Sequence, residues 1–228
     1  MSIIIDYIKI FHEIFFRSKF FIKRESYGFE SEDIYIDEHL KNIHKGFYVD
    51  IGAFNPIRGS NTYLLYKRGW SGINVDADEN SIRMFKILRR NDYNFNFAVS
   101  SSDSKEINLF YEKQSSAVKT VNSEFRDKTL RNFKIKKVKT SNFEDIMNKT
   151  NFSNRKIDFL NIDCEGSDYD VLKLIDLKKY EPKLICIEIN SHIIKNIEDS
   201  NVFKYLLKNN FFLVKSFVNS HIFKLKDN

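Results

Sequence analysis

Residues 46–63, with the sequence GFYVDIGAFNPIRGSNTY, decide the predicted fold. The apolar residues 47–49 lead into Asp50, Gly52 and Ala53, as the first strand of an α/β nucleotide-binding unit leads into its turn. The glycines of the G-x-G-x-x-G fingerprint, which bring the backbone close to a pyrophosphate, are missing. A turn with one acid and one glycine suits a nucleotide-like cofactor that has a cationic end and no pyrophosphate.

The composition is that of a single globular enzyme domain. The chain has 228 residues, of which 42% are hydrophobic and 30% charged, and a net charge of +6. Two cysteines cannot build a disulfide framework, which favours a reducing compartment and a cytoplasmic location. The modest positive charge allows contact with anionic partners but does not indicate nucleic acid.

Apolar strands alternate with helical patterns from residue 46 onward. Strands are predicted at 47–51, 72–76, 94–99, 106–112, 134–140, 157–163 and 184–190, with helices at 61–68, 79–90 and 167–176. The polar residues 113–134 are predicted as a long loop, and two alternating segments around 218–220 as an antiparallel hairpin. The pattern predicts an α/β fold, a three-layer sandwich with a mostly parallel sheet and an antiparallel C-terminal hairpin.

Acids gather at the carboxyl ends of the predicted strands, where ligands bind in open α/β sheets. They are Asp50, Asp76, Asp163, Glu165 and Glu188. Asp76 follows its strand at about the distance from the first turn at which a carboxylate reaches a ribose. Such a carboxylate accepts hydrogen bonds from the ribose hydroxyls, so Asp76 is predicted as a ribose ligand.

Several motifs in sequence resemble those of the FkbM-type methyltransferases. They are DIGA at 50–53, SNTY at 60–63, GWSG at 69–72, IDCEG at 162–166 and ICIE at 185–188, and the resemblance covers residues 26–224. It implies a Rossmann-like class I methyltransferase that uses S-adenosylmethionine, usually on a hydroxyl of a sugar or other metabolite. Residues 46–228 would form this domain and residues 1–45 an N-terminal helical extension.

The resemblance also implies site residues. The turn at the methionine part would comprise Asp50, Gly52, Ala53 and Phe54, with donors to its carboxylate from Ser60, Asn61 and Thr62. The ribose and adenine would lie against Asp76, Ala77, Ala98, Val99 and Ser100. Phe54 departs from the small polar residue or His that is usual for the family at this position.

The acceptor side is predicted from proton chemistry. Methylation of a hydroxyl is helped by a base within hydrogen-bond reach, and the candidates are Asp163, Glu165 and His192. A divalent ion is a further hypothesis, because oxygen ligands from neighbouring strand ends suit Mg²⁺. Its predicted ligands are Asp163, Glu188 and Asn190.

The predicted partner is a small-molecule or glycan acceptor, and nucleic acid is not expected. A nucleic-acid methyltransferase, an NAD-dependent enzyme and a non-catalytic module that keeps the fold remain alternatives. No uninterrupted apolar run is long enough to cross a membrane. The N-terminal stretch is predicted as an amphipathic helix. The apolar face of this helix would contact its own domain, a second subunit of a homodimer, or a membrane surface.

Overall fold

A seven-stranded sheet forms the centre of the protein. The structure is a computed structural model, which describes residues 2–101, 104–113, 116–129, 132–189 and 196–226. The strands lie in the order β10-β11-β9-β8-β1-β2-β3. Their bounds are β1 Phe47–Ile51, β2 Ser71–Val75, β3 Tyr93–Phe95, β8 Phe159–Ile162, β9 Leu184–Glu188, β10 Phe211–Ser216 and β11 Ser220–Leu225.

The central strands pair as the sequence predicts. β1 is parallel to both β2 and β8, and β9 is parallel to β8. The hairpin β10–β11 adds to the edge of β9 in the antiparallel sense. All residues of β1 and β8 are buried, which is why these strands read as near-continuous apolar runs. The predicted mixed α/β fold with a mostly parallel sheet and an antiparallel C-terminal hairpin is confirmed.

Helices cover both faces of this sheet. On one face Ile36, Leu40 and Leu65 pack against side chains of β1, β8 and β9. The opposite face packs against Ile146, Leu172 and Leu206. The helices are α2 Glu32–His39, α3 Tyr63–Lys67, α4 Glu79–Leu88, α6 Phe143–Asn148, α7 Asp168–Lys173, α8 Leu177–Tyr180 and α9 Asn201–Lys208.

A second sheet lies beside the carboxyl ends of the central strands. Its order is β4-β7-β5-β6, with β4 Ala98–Val99, β5 Glu106–Tyr111, β6 Lys119–Thr120 and β7 Lys134–Ser141. The prediction of a structureless loop over 113–134 is wrong, because this stretch contains β6 and the helix α5 Ser123–Lys128. The Asn122 side chain caps α5 by accepting from the Phe125 amide.

The N-terminal residues are helical before the first strand. Helix α1, Ser2–His12, continues into a π-helical turn over Glu13–Arg17. Ile10 and Ile14 are buried in a small cluster with Met84 of α4. Among the described residues no helix combines the length and the apolar character that crossing a membrane requires. The division into an extension and one domain stays a prediction.

Candidate active site

Two adjoining clefts open at the carboxyl ends of β1, β2, β8 and β9. Both clefts are lined by Gly52, Phe54, Ala117, Asp163 and Glu165, which mark the passage between them. The first, here the apolar cleft, is also lined by Asp76, Ala77, Ala98, Val99, Leu109, Lys119 and Val121. The second, here the acidic cleft, is also lined by Glu30, Glu32, Asp50, Ala53, Asn61 and Glu188.

Gly52 makes the passage between the clefts. Its φ of +79° lies in the left-handed region, which an L side chain adopts at a cost. A Cβ atom at this position would lie 1.8 Å from the carbonyl oxygen of Asp163. The backbone amides of Gly52 and Ala53 donate to the Val75 carbonyl, at 2.9 and 3.1 Å. The turn is thus pressed between β2 and the loop after β8, and only glycine fits.

Asp76 stands at the end of β2 and holds the turn after β1. Its carboxylate accepts from the amides of Phe54 at 2.7 Å and Asp78 at 2.6 Å. Burial raises its pKa to about 6, against an opposing effect of Lys119. Each carboxylate oxygen has a second lone pair, so the group can still accept from a ligand. Phe54 itself has a φ of +52°, an unusual conformation for a bulky residue.

Asp50 is held inside the protein below the acidic cleft. Its carboxylate accepts from the Thr62 hydroxyl at 2.8 Å and the Asn161 amide at 2.9 Å. Burial raises its pKa, although Arg89 and these donors oppose the shift. Asn61 reaches the cleft wall and donates to the Asn161 side chain at 3.1 Å.

The hydroxyls of Ser60 and Thr62 do not line either cleft. Both accept from the guanidinium of Arg89, at 2.7 and 2.6 Å, and both residues are buried. The structure therefore corrects the predicted hydroxyl donation to the cofactor: these groups support the loop from behind. Ser100 also lies outside the residues that line the two clefts, and its amide donates to the Ser141 carbonyl.

Three carboxylates meet where the acidic cleft passes over β8 and β9. One oxygen each of Asp163, Asp168 and Glu188 lies within 4.8 Å of the others. Burial and the neighbouring acids raise the pKa of Asp163 well above its usual value and that of Glu188 to about 11. Glu188 Oε2 is buried without a hydrogen-bond partner among the described residues.

Like charges this close cannot all be ionised without a counter-charge. Asp168 is the most constrained of the three, because it accepts from the amides of Cys164 at 2.7 Å and Gly166 at 3.0 Å. Burial raises its pKa to about 6. The cluster therefore either retains protons or faces a bound cation. Its oxygen donors fit a hard cation, and they equally fit the positive end of an organic ligand.

The predicted catalytic and metal residues are brought together in part. Asp163 and Glu165 line both clefts, and Glu165 has a φ of +49° in the turn after β8. Asp163 and Glu188 meet as predicted, with Asp168 as a third acid that the sequence did not suggest. His192 and Asn190 lie outside the described residues.

Two basic residues of the site were missed from the sequence. Lys119 lines the apolar cleft, and it binds the buried Asp78 at 2.5 Å together with Lys136, also at 2.5 Å. Burial opposes the ionisation of Asp78, but the two lysines hold its pKa below the usual value. Arg89 is fully buried behind the Ser60 loop. A lysine in a polar stretch and an arginine at a helix end carry no local signal for such roles.

The fold and the position of these clefts define a protein of the Rossmann-like α/β class with its site beyond the strand ends. Residues 50–213 match the family model of the methyltransferase FkbM domain. The chain belongs to the FkbM methyltransferase family, as its motifs suggested, and it is a methyltransferase.

Two further comparisons add little to this assignment. No curated protein matches the chain. A crystal structure of a methyltransferase from Geobacter sulfurreducens is similar to this chain, with 12% sequence identity and a TM-score of 0.39. The aligned region covers 90% of this chain and 80% of the Geobacter chain. A similarity this low carries no argument about the chemistry.

Proposed function

We propose that this protein transfers a methyl group from S-adenosylmethionine to a hydroxyl of a sugar, a glycan or a small metabolite. The family generally uses this cofactor. The observation that carries the proposal is the pairing of an apolar cleft with an acidic cleft across Gly52. This pairing matches a ligand with a flat apolar end, a ribose and a cationic end.

The apolar cleft supports the adenosyl part of the ligand. Ala98 and Val99 offer small apolar side chains against which a flat ring fits. Asp76 stands beside them with a carboxylate that can accept from ribose hydroxyls, and Ala77 follows it along the same wall. Lys119 also lines this cleft and would lie near this end of the ligand.

The acidic cleft favours the methionine end over a pyrophosphate. Among the described residues six carboxylates line it, those of Glu30, Glu32, Asp50, Asp163, Glu165 and Glu188, and no lysine or arginine of that part of the chain does. A sulfonium and an α-ammonium group would supply the positive charge that these acids lack. The pyrophosphate of NAD would meet carboxylates instead of glycine amides, which speaks against the dehydrogenase alternative.

S-adenosylmethionine supplies an electrophilic methyl group when bound. Asp163 would accept the proton of the acceptor hydroxyl, since it lines both clefts and its backbone carbonyl lies directly beside Gly52. Its raised pKa would fall when positive charge enters the cleft, because opposite charge favours the ionised form. Glu165 and His192 remain candidates for the same role.

The Asp163→Asn variant is expected to lose turnover and keep cofactor affinity. Loss of a general base lowers kcat by about 10²–10⁴-fold, whereas the affinity for S-adenosylhomocysteine should stay within a few-fold. Release of S-adenosylhomocysteine with a panel of sugar and glycan acceptors measures the first effect, and calorimetry the second. Asp170→Asn, an exposed acid paired with Lys173, is the matched control. Unchanged turnover in Asp163→Asn would contradict the assigned role.

The pH dependence of cofactor binding should follow Asp76. Burial raises the pKa of the Asp76 carboxyl group from its ordinary value to about 6. The group is therefore ionised above this pH and protonated below it. Affinity for S-adenosylhomocysteine should therefore fall by up to about tenfold per pH unit below pH 6. Asp76→Asn should bind more weakly at pH 7.5 and show a flatter profile. Equal wild-type affinity at pH 5 and 7.5 would exclude the ionised carboxylate as a ribose ligand.

Magnesium dependence is a separate proposal. Asp163, Asp168 and Glu188 would supply the oxygen ligands, and such an ion would neutralise the cluster. The cationic end of the cofactor offers the same neutralisation without a metal. Full activity after exhaustive treatment with EDTA would contradict the proposal that the reaction needs a magnesium ion.

The acceptor class is supported less directly. A nucleic-acid amine methyltransferase would be expected to carry an N-P-P-[YF] loop after β8, and the chain has DCEG at 163–166. A non-catalytic module has no need for buried acids at the passage between two clefts. These features favour a hydroxyl acceptor over a nucleic-acid amine, and the resemblance to the family suggests a cell-envelope glycan, modified in the cytoplasm, as the substrate class.

A further inference from the structure

The N-terminal segment presents an unusual amount of apolar surface. Phe11 and Phe16 on the helical part, and Phe20, Phe21 and Ile22 just after it, are all exposed, Phe21 to 79%. These five residues are called the aromatic patch. Soluble surfaces tolerate scattered apolar residues, but a contiguous group of this kind marks an interaction site.

Three rings of the aromatic patch surround Phe15, which is partly buried. Phe15 lies 4.3 Å from Phe11, 5.7 Å from Phe20 and 5.4 Å from Phe21, measured between ring centroids. Ile10 and Ile14 anchor the segment to α4, and Phe15 packs against the same cluster. The segment is thus held on the domain by these residues, while the aromatic patch forms an exposed apolar surface, here the open face.

Basic side chains frame the open face. Lys19 and Lys23 are exposed and flank Phe20, Phe21 and Ile22 in the sequence, and Lys9 is exposed on α1. The acid Glu13 is already engaged by Arg17 at 3.3 Å and Arg58 at 3.4 Å. Aromatic rings framed by lysines are typical of segments that lie in the interface of an anionic bilayer.

We propose that residues 7–23 dock on the surface of an anionic phospholipid membrane, with the aromatic patch at the level of the lipid headgroups. A second copy of the chain is the competing occupant. A two-fold contact would bring the lysines that frame one patch toward those of the other, and like charges would oppose it. A negatively charged bilayer complements them.

Docking would place the clefts close to the membrane. Glu13 of the segment binds Arg58, whose guanidinium carbon lies 4.8 Å from the centre of the Phe54 ring. Phe54 lines both clefts. An acceptor presented at the membrane surface would thus be close to the site, although the docking itself does not depend on the proposed methyl transfer.

Co-sedimentation of the full chain with vesicles tests this inference. Vesicles with about one third phosphatidylglycerol should bind the protein, and pure phosphatidylcholine vesicles should bind it far more weakly. The variant Lys19→Gln/Lys23→Gln should bind the anionic vesicles about 30-fold more weakly, from about 1 kcal/mol per lysine. Phe20→Ser/Phe21→Ser should weaken binding at least about 30-fold as well.

The matched control removes exposed apolar side chains elsewhere. Ile135→Ser/Val218→Ser, at residues exposed to 58% and 64%, should bind vesicles like the wild type. Circular dichroism melting of each variant verifies that the fold is kept. Absence of wild-type binding to anionic vesicles, or an equal loss in the control, would overturn the proposal. A wild-type dimer that Phe20→Ser/Phe21→Ser converts to monomers without changing vesicle binding would also overturn it.

Discussion

The Gly52→Ala variant is expected to lose measurable binding of S-adenosylhomocysteine and to unfold at a lower urea concentration than the wild type. The added Cβ would meet the Asp163 carbonyl at 1.8 Å, a contact that only a shift of the backbone relieves. Overpacking costs about 1–3 kcal/mol, and the left-handed conformation adds about 1–2 kcal/mol for a residue with a side chain. The free energy of unfolding should thus fall by about 3 kcal/mol.

The Gly69→Ala variant separates the cost of the close contact from the cost of the left-handed backbone conformation. Gly69 has a φ of +87°, but a Cβ there would find, apart from its chain neighbours, no atom of the described residues within 4 Å. This control should therefore lose only about 1–2 kcal/mol of stability and keep its affinity for S-adenosylhomocysteine. Equal behaviour of the two variants in urea unfolding and calorimetry would mean that the contact between the β1 turn and the loop after β8 does not shape the site.

The Arg89→Met variant is expected to be the least stable of the single variants considered. Arg89 is fully buried and donates to the Pro56 carbonyl at 2.6 Å and to Ser60 and Thr62. It is also the positive charge that opposes the raised pKa of Asp50. Its removal takes this donor from the Pro56 carbonyl and leaves the buried carboxylate of Asp50 without its counter-charge, which costs about 3–5 kcal/mol.

The neighbouring Arg90 provides the control for this variant. Arg90 is exposed, and its side chain donates to the Ile87 carbonyl at 3.1 Å, so Arg90→Met should change the free energy of unfolding by less than about 0.5 kcal/mol. Urea unfolding compares the two. Arg89→Lys should recover only part of the loss, because one ammonium cannot replace the forked contacts. Similar stabilities for Arg89→Met and Arg90→Met would contradict the network described above.

The central sheet could be predicted because its strands carry strong local signals. β1, β8 and β9 are buried on both faces, and each therefore appears as an apolar run. The acids that follow these strands came together for a topological reason: parallel strands end at the same edge of a sheet. The common location of Asp50, Asp76, Asp163 and Glu188 at this edge was thus predictable from their positions alone.

The supporting contacts of the site could not be predicted in the same way. Arg89 binds Pro56, which precedes it by 33 residues, and Lys119 binds Asp78 across 41 residues. Periodicity reports which face of an element is buried, and it carries no information about which distant loop a buried charge will meet. Ser60 and Thr62 illustrate the result, because their residue types fit a ligand but their hydroxyls bind Arg89.

The second sheet shows a related limit. β6 has two residues, and β7 mixes exposed lysines with the single buried Val138. Strands this short or this polar are held by their pairing with β5 rather than by an apolar face of their own. A single sequence gives little signal for β6, and the Lys119 that it brings to the apolar cleft was missed for this reason.

Calorimetric titration of the full chain with S-adenosylhomocysteine and with NAD tests the central claim most directly. The apolar cleft, Asp76 and the acidic cleft predict one-to-one binding of S-adenosylhomocysteine and no binding of NAD at neutral pH. The Asp76→Ala variant should bind S-adenosylhomocysteine about 100-fold more weakly, as expected for two lost hydrogen bonds to a charged group. Tight binding of NAD, or binding of neither compound, would contradict the assignment of the two clefts.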